Sequence, residues 1–328
     1  MSNRVLVTGG SGFVAFHIIN ELLEQDYEVY ASIRSNSNVA HLNGLQVTFV
    51  QLNFQDAGQI KAVLSEHQID YIIHAAGTTA AANQDVYNTV NAVYTKNLCE
   101  AVDALGEQIQ KFVFVSSLAS IGPSVGLADI NEAQSPAPVT MYGRSKRLAE
   151  EYLTAYKNIK WLTFRPTAVY GPRDKDIFIM LKTFINGFEP YIGKSEQQLS
   201  FIYVKDLAKL LVDSLKQTLV HQSYNVSDGN DYGRYELAAL TSGLINKKLR
   251  RFHLPMPLIK VVAKVCDVYG RMSAKTLPLN TDKLAELTAS WVCSASLAQK
   301  ELGFKPQYNL KSGLEESIRW YRDNKWIK

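Results

Sequence analysis

Tyr142-Gly143-Arg144-Ser145-Lys146 sets a phenol and an ammonium four residues apart, a spacing that puts both on one face of a helix. A cation close to a phenol favours the phenolate and draws its pKa down from about 10. A tyrosine tuned in this way is a general acid or base for a carbonyl or an alcohol. Upstream, Phe112-Val113-Phe114-Val115-Ser116-Ser117 reads as a strand ending in hydroxyls. Parallel sheets present their ligands at strand carboxyl ends, so Ser117 is expected to meet Tyr142 there. Its hydroxyl would hold the reacting oxygen and stabilise the charge developing on it. Ser117, Tyr142 and Lys146 are the candidate catalytic set.

A second constellation supplies what such a set would work with. Val7-Thr8-Gly9-Gly10-Ser11-Gly12-Phe13-Val14-Ala15 follows the first strand and opens the first helix. Gly9 permits a tight turn, Gly12 lets backbone approach a pyrophosphate, and Ala15 keeps helix and strand close. The helix start at Phe13 and Val14 then offers free N–H groups and a positive dipole end to phosphates. In NAD-binding versions of this loop an acid at the end of the second strand bonds the ribose 2′-hydroxyl. That place holds Ile33, followed by Arg34 and Ser35. A guanidinium and a hydroxyl suit a 2′-phosphate, so NADP is favoured over NAD. Asn53 and Phe54, after the third strand, are expected to border adenine. Ala75, Ala76 and Gly77 leave room for the cofactor, Ser116 borders it, and Lys146 also holds the nicotinamide ribose.

These residues need a scaffold, and the patterning of the first half provides one. Strands are expected at 5–7, 28–33, 47–52, 71–74, 112–116 and 161–165, with helices at 13–24, 59–67, 90–105 and 142–156. Such alternation implies a doubly wound parallel α/β sheet of Rossmann type, covered on both faces. Beyond Gly171 the pattern loosens. Helices are expected at 177–186 and 204–215, a loop at 190–198, and short strands at 200–203 and 223–226. Residues 230–300 read as largely helical, with turns at Pro255, Pro257 and Pro278. Residues 1–171, with about 200–227, are the expected dinucleotide-binding domain. Residues 172–199 and 228–328 are the smaller, mostly helical, substrate-binding region. Within it Leu258, Val261, Val262, Val265 and Val268 lie on one helix, as core in preference to an apolar substrate pocket.

Composition excludes other roles. Of 328 residues 46% are hydrophobic and 20% charged, and the net charge is +4. That excess, without a basic run carrying aromatics, argues against nucleic-acid binding. Cys99, Cys266 and Cys293 form no CxxC pair, so no metal site or disulfide framework is expected. No stretch approaches the roughly 20 apolar residues of a membrane span. The expectation is a cytoplasmic enzyme with a small-molecule substrate and no nucleic-acid or membrane partner.

The Gly-rich loop and the Ser–Tyr–Lys set resemble those of the extended short-chain dehydrogenases/reductases, the group containing the NAD-dependent epimerase/dehydratase family. Further likeness lies in Asn91, Asn97-Leu98, the run from Arg165 to Arg173, Phe201 to Ala208, and Glu301 to Pro306. The resemblance implies hydride transfer at a carbinol carbon, with Pro166 and Val169 bordering the nicotinamide. It also implies a homodimer through the helices at 90–105 and 142–156. Departures narrow the reaction. The 4,6-dehydratases carry Asp-Glu after the catalytic hydroxyl, where this chain has Leu118 and Ala119. Sugar-nucleotide epimerases carry Arg-Asp where this chain has Leu199 and Ser200, and an Asn where it has Ala168. Lys182, Lys194, Lys205, Arg234, Arg250 or Arg251 are alternative diphosphate ligands. The Arg165-Pro166-Thr167-Ala168 run is more like the hydroxysteroid-dehydrogenase and flavanone-type reductase branch. The sequence therefore favours an NADP-linked oxidoreductase of a carbonyl or secondary alcohol. An NAD-dependent sugar-nucleotide epimerase is the alternative. Against a third reading, an inert cofactor-binding protein, stand the intact Ser117, Tyr142 and Lys146.

Overall fold

The β-branched runs of the first half are buried from both sides, as strands of a covered parallel sheet must be. The computed structural model describes residues 3–273 and 279–327. Its first half runs β1 (Arg4–Thr8), α1 (Phe13–Glu24), β2 (Glu28–Ser32), β3 (Val47–Val50), α2 (Ala57–Glu66), β4 (Tyr71–His74), α3 (Gln84–Asn88), α4 (Tyr94–Asp103), β5 (Lys111–Val115), α5 (Met141–Ala155) and β6 (Trp161–Pro166). There follow β7 (Ala168–Tyr170), α6 (Asp176–Ile185), β8 (Phe188–Ile192), β9 (Gln198–Leu199), β10 (Phe201–Tyr203), α7 (Val204–Asp213) and β11 (Gln222–Val226). The remainder is β12 (Tyr232–Gly233), α8 (Glu236–Ile245), β13 (Arg250–Leu254), α9 (Met256–Ser273), α10 (Thr281–Thr288), α11 (Ser296–Leu302) and α12 (Leu310–Asp323).

Seven strands form one parallel sheet in the order β11-β6-β5-β4-β1-β2-β3. It is a doubly wound Rossmann-type sheet with a mostly helical C-terminal part. One core lies on the α1 and α7 side, around Ile18, Leu22, Leu207 and Leu211. The other lies on the α2, α4 and α5 side, around Ile60, Leu98, Ala149 and Leu153. Strand order reverses between β1 and β4, where Thr8 pairs with His74. Such a switch point opens a crevice beyond the strand carboxyl ends, and the candidate residues gather there.

Three expectations change. The helix expected at 90–105 begins earlier, because the Asn83 side chain accepts from Val86 N–H and caps α3. A π-turn at Thr89–Val93 then joins α3 to α4, which the regular 3.6-residue period does not reveal. The loop expected at 190–198 overlaps the end of β8, which pairs in parallel with β13 some sixty residues later. Pro190 and the single turn of apolar alternation conceal it. The third change concerns α9. Its inner face, Ile259 and Ala263, packs on Leu284 of α10. The stripe expected as core lies outside: Leu258 is 56% exposed, Val261 60%, Val262 40%, Val265 62% and Val268 57%. Periodicity shows that a helix has an apolar face but not what covers it. Pro257 sits in the first turn of α9, where a missing N–H costs nothing; Pro278 lies outside the described residues.

Candidate active site

The turn between β1 and α1 is built on Gly9, whose φ of +70° suits glycine. A Cβ there would stand 2.9 Å from the Ala76 backbone, so the loop after β4 fits only against a bare Gly9. Gly12 donates its N–H to the Gly9 carbonyl at 2.8 Å and caps α1. No side chain caps this helix and its first turn holds no acid, so the N–H groups around Phe13 and Val14 remain available to an anion. Burial holds His17, one turn on, down to a pKa of about 4. Its Nε2–H donates to the Pro172 carbonyl at 2.9 Å, fastening α1 to the segment after β7.

Below the loop runs a buried polar chain that no motif in the sequence announces. Ala76 N–H donates to Thr8 Oγ1 at 3.0 Å, and Thr8 Oγ1 lies 2.7 Å from His74 Nδ1. His74 Nε2 lies 2.9 Å from Thr95 Oγ1, whose own proton goes to the Asn91 carbonyl at 2.8 Å. Thr95 must therefore accept from His74, which fixes the Nε2–H form, and Thr8 donates to Nδ1. Burial keeps this imidazole neutral, with its pKa pulled down to about 3. The Asn91 amide, on the π-turn, accepts from Thr78 N–H at 2.7 Å and donates to Thr78 O at 3.0 Å and Ser145 Oγ at 2.9 Å. Ala75, Ala76 and Gly77 are thus pinned between β1 and α5. π-turns recur at functional sites because they re-aim side chains in this manner.

The adenine end is more open. Asn53 is exposed and its side-chain carbonyl accepts from Gln55 N–H. Phe54 stacks on Tyr94 at 5.7 Å, and its backbone carbonyl accepts from Asn97 Nδ2 at 2.8 Å. Arg34 and Ser35 are exposed beyond β2, and the Arg34 backbone N–H donates to Ser37 Oγ. The Arg34 guanidinium has no partner among the described residues.

At the carboxyl end of β5 the catalytic candidates come together. The Ser117 side chain lies beside the Tyr142 phenol, and Ser117 Oγ accepts from Ala119 N–H at 3.2 Å. Gly143 makes this approach possible, because a Cβ there would collide with the Ala119 carbonyl. Lys146 is buried on the same face of α5, and its Nζ donates to the Val115 carbonyl at 2.7 Å while lying 4.4 Å over the Phe114 ring. The expected lowering of the phenol pKa does not occur. Burial pushes Tyr142 up to about 12, the neighbouring Ser117 pulling the other way, and burial pulls Lys146 down to about 8. Desolvation is the largest influence on both groups.

Glu150, one further turn along α5, anchors this end of the sheet. It is buried and accepts from Ser116 Oγ at 2.5 Å, Ser120 Oγ at 2.7 Å and Arg165 Nη2 at 2.7 Å. The Ser116 hydroxyl is therefore committed to Glu150, leaving its backbone to border the crevice. On the far side, Thr167 after Pro166 donates its hydroxyl to the Ser200 carbonyl at 2.8 Å. Val169 pairs with Ile202 across β7 and β10. From α10, Asp282 Oδ2 accepts from Met141 N–H at 2.7 Å and Arg144 Nη2 at 3.2 Å, so the C-terminal part holds the start of the catalytic helix.

A family model, described as the NAD dependent epimerase/dehydratase family, matches residues 5–227. The chain belongs to that family. A member from Escherichia coli O157:H7, named N-acetyl-alpha-D-glucosaminyl-diphospho-ditrans,octacis-undecaprenol 4-epimerase, is 25% identical, covering 98% of this chain and 96% of its own. The UDP-glucose 4-epimerase of Vibrio cholerae is also 25% identical, over 97% and 95%. The solved UDP-glucose 4-epimerase of Thermus thermophilus, complexed with NAD, superposes with a TM-score of 0.78 at 22% identity, over 97% and 99%. As a member of the epimerase/dehydratase family the protein is an enzyme of the extended short-chain dehydrogenase/reductase type, working through oxidoreduction with a nicotinamide dinucleotide.

Within the family the departures take physical form. Leu118, where dehydratases resemble one another in an acid, is buried with Ile121, Ile130 and Cys293. Leu199 pairs with Tyr232, and Ser200 Oγ donates to Asp231 at 2.9 Å. Among the alternative diphosphate ligands, Lys205 is paired with Glu316 and Arg251 with Glu189. Arg234 donates to the Ile192 and Ser195 carbonyls and lies over the Tyr191 and Tyr235 rings, while its buried Nε has no partner.

Proposed function

We propose that this enzyme is an NADP-linked oxidoreductase that interconverts a carbonyl and a secondary alcohol on a small molecule. The observation that carries this reading is the placement of Ser117 beside Tyr142 at the end of β5, with Lys146 one turn further along α5. The glycine cradle fits the cofactor: Gly9 and Gly12, with the helix start at Phe13 and Val14, would take the pyrophosphate. Arg34 and Ser35 would take the 2′-phosphate, and Asn53 and Phe54 the adenine. Ala75, Ala76, Gly77, Ser116, Pro166 and Val169 would flank the remainder, with Lys146 on the nicotinamide ribose. When bound, the dinucleotide supplies the hydride equivalent. The protein supplies the proton. With its pKa near 12 the Tyr142 hydroxyl is protonated at neutral pH, poised to give its Oη proton to a carbonyl oxygen held by Ser117. The unpartnered Arg34 guanidinium supports NADP. A homodimer through α4 and α5 belongs to the same proposal.

Oxidation of NADPH with a panel of ketones and aldehydes tests the reading. Tyr142→Phe should lower turnover by roughly a thousandfold with dinucleotide binding unchanged. Arg34→Ala should weaken NADP by roughly tenfold to a hundredfold and leave NAD as it was. Equal weakening of both would remove the 2′-phosphate assignment.

Arg234 favours a second reading. Its buried, unpartnered Nε among carbonyls and aromatic faces suits an anionic group. The substrate would then be a sugar diphosphate carried on a nucleoside or, as in the name of the Escherichia coli relative, on a polyprenol. Purified protein holding one equivalent of NAD and binding UDP-glucose would establish this second reading over the first.

A further inference from the structure

The outer face of α9 is an apolar surface that the rest of the described chain leaves uncovered. Leu258, Val261, Val262, Val265 and Val268 recur at helical spacing and are all exposed, by 40–62%. The inner face is already satisfied by α10, so nothing within the described chain calls for a second apolar face. A helix apolar on both faces has one of them facing something other than water. Charge tells what that is. Lys264 borders the stripe and Lys260, one turn earlier, stands toward α10; both are exposed and have no carboxylate partner among the described residues. Asp267, the helix's one acid, stands on the α10 side, away from the stripe, and bonds to Thr281. A second copy docked through the same face would set lysines of α9 against one another. An anionic bilayer meets both the apolar stripe and the cations.

We infer that α9 lies in the interface of an anionic membrane, its stripe among the acyl chains and its lysines at the phosphates. No helix among the described residues is long and apolar enough to cross a membrane, so the contact is peripheral. The expectation of no membrane partner rests on spanning segments alone, and a helix lying in the plane of the bilayer escapes that criterion. The docked face is one helix from the chemistry, since α9 packs on α10 and Asp282 of α10 holds the Met141 N–H beside Tyr142. This inference stands whichever reaction the site performs.

Co-sedimentation of the full chain with vesicles of phosphatidylglycerol and phosphatidylcholine in equal parts tests it, against vesicles of phosphatidylcholine alone. Binding is expected on the mixed vesicles and should weaken with added salt. Val261→Asp combined with Val265→Asp should lower the association constant roughly a hundredfold, with dinucleotide binding unchanged. Lys260→Gln and Lys264→Gln should each lower it roughly fivefold, and they keep the test open should the aspartate variant fail to fold. Absence of sedimentation with both vesicle types would overturn the inference. So would an oligomer in light scattering that the aspartate variant dissociates, because the stripe would then be a protein–protein contact.

Discussion

Glu150 and Val265 invert the usual placement of their residue types. The carboxylate is 3% exposed and the valine 62%. Around Glu150 every contradiction is resolved inside the chain: two hydroxyls and a guanidinium meet the carboxylate, and Thr8, His74, Thr95 and Asn91 likewise complete one another. Around Val265 nothing in the described chain resolves it. Buried polar groups that are fully partnered fix a geometry, as an active-site floor requires. An apolar face left open directs attention to a partner. One region is preorganised for chemistry and the other for attachment.

The sharpest way to break the comparison is at the buried end. Glu150→Ala leaves Arg165 charged and unpaired, and unfolding free energy should fall by about 3–5 kcal/mol in urea titration. Replacing both, as Glu150→Leu with Arg165→Met, should recover most of that loss; failure to do so would mean that the serines carry the network. Next in size, Ile259→Ala on the inner face of α9 should cost about 2–4 kcal/mol by the same measurement. Acid should then act on the polar side. His17 and His74 are held neutral by burial, with folded pKa values of about 4 and about 3 against 6.5 unfolded. Below 6.5 the unfolded chain binds protons that the folded chain refuses. Stability should therefore fall with falling pH, by up to about 1.4 kcal/mol per unit for each histidine. His17→Gln should remove one such contribution from the slope of urea midpoints against pH. The smallest effect belongs to the outer stripe. Val261→Asp with Val265→Asp should change stability in solution by no more than about 0.5 kcal/mol per site. A cost of several kcal/mol would show that the stripe is core and dissolve the contrast.

The two regions also differ in how much of them can be read from sequence. The span of α1, Phe13–Glu24, and the meeting of Ser117 with Tyr142 follow from local pattern and from where parallel strands end. Glu150 does not stand out, because its neighbour Glu151 is the same residue type and is exposed. Its register is a usable signal: Ser145, Lys146, Ala149, Glu150 and Leu153 form the buried face of α5. The Asn91 π-turn breaks helical period by one residue, and the β8–β13 pairing joins segments far apart in the chain. For α9 the pattern yields the stripe correctly and its surroundings wrongly, since burial is a property of what packs against a helix. The pKa of Tyr142 departs from expectation for the same reason: spacing sets the neighbour, and burial sets the solvent.

The bond from Met141 N–H to Asp282 spans 141 residues, and this orders events during synthesis. All seven strands of the main sheet have been made once Val226 is added. At ribosomal speeds the carboxylate that fastens the catalytic helix arrives roughly 3–11 s later. A nascent chain thus passes through an interval in which its sheet strands are all present while its active site is still untied. Premature termination in that window would release a polypeptide that carries Ser117, Tyr142 and Lys146 but lacks Asp282 and the rest of α10.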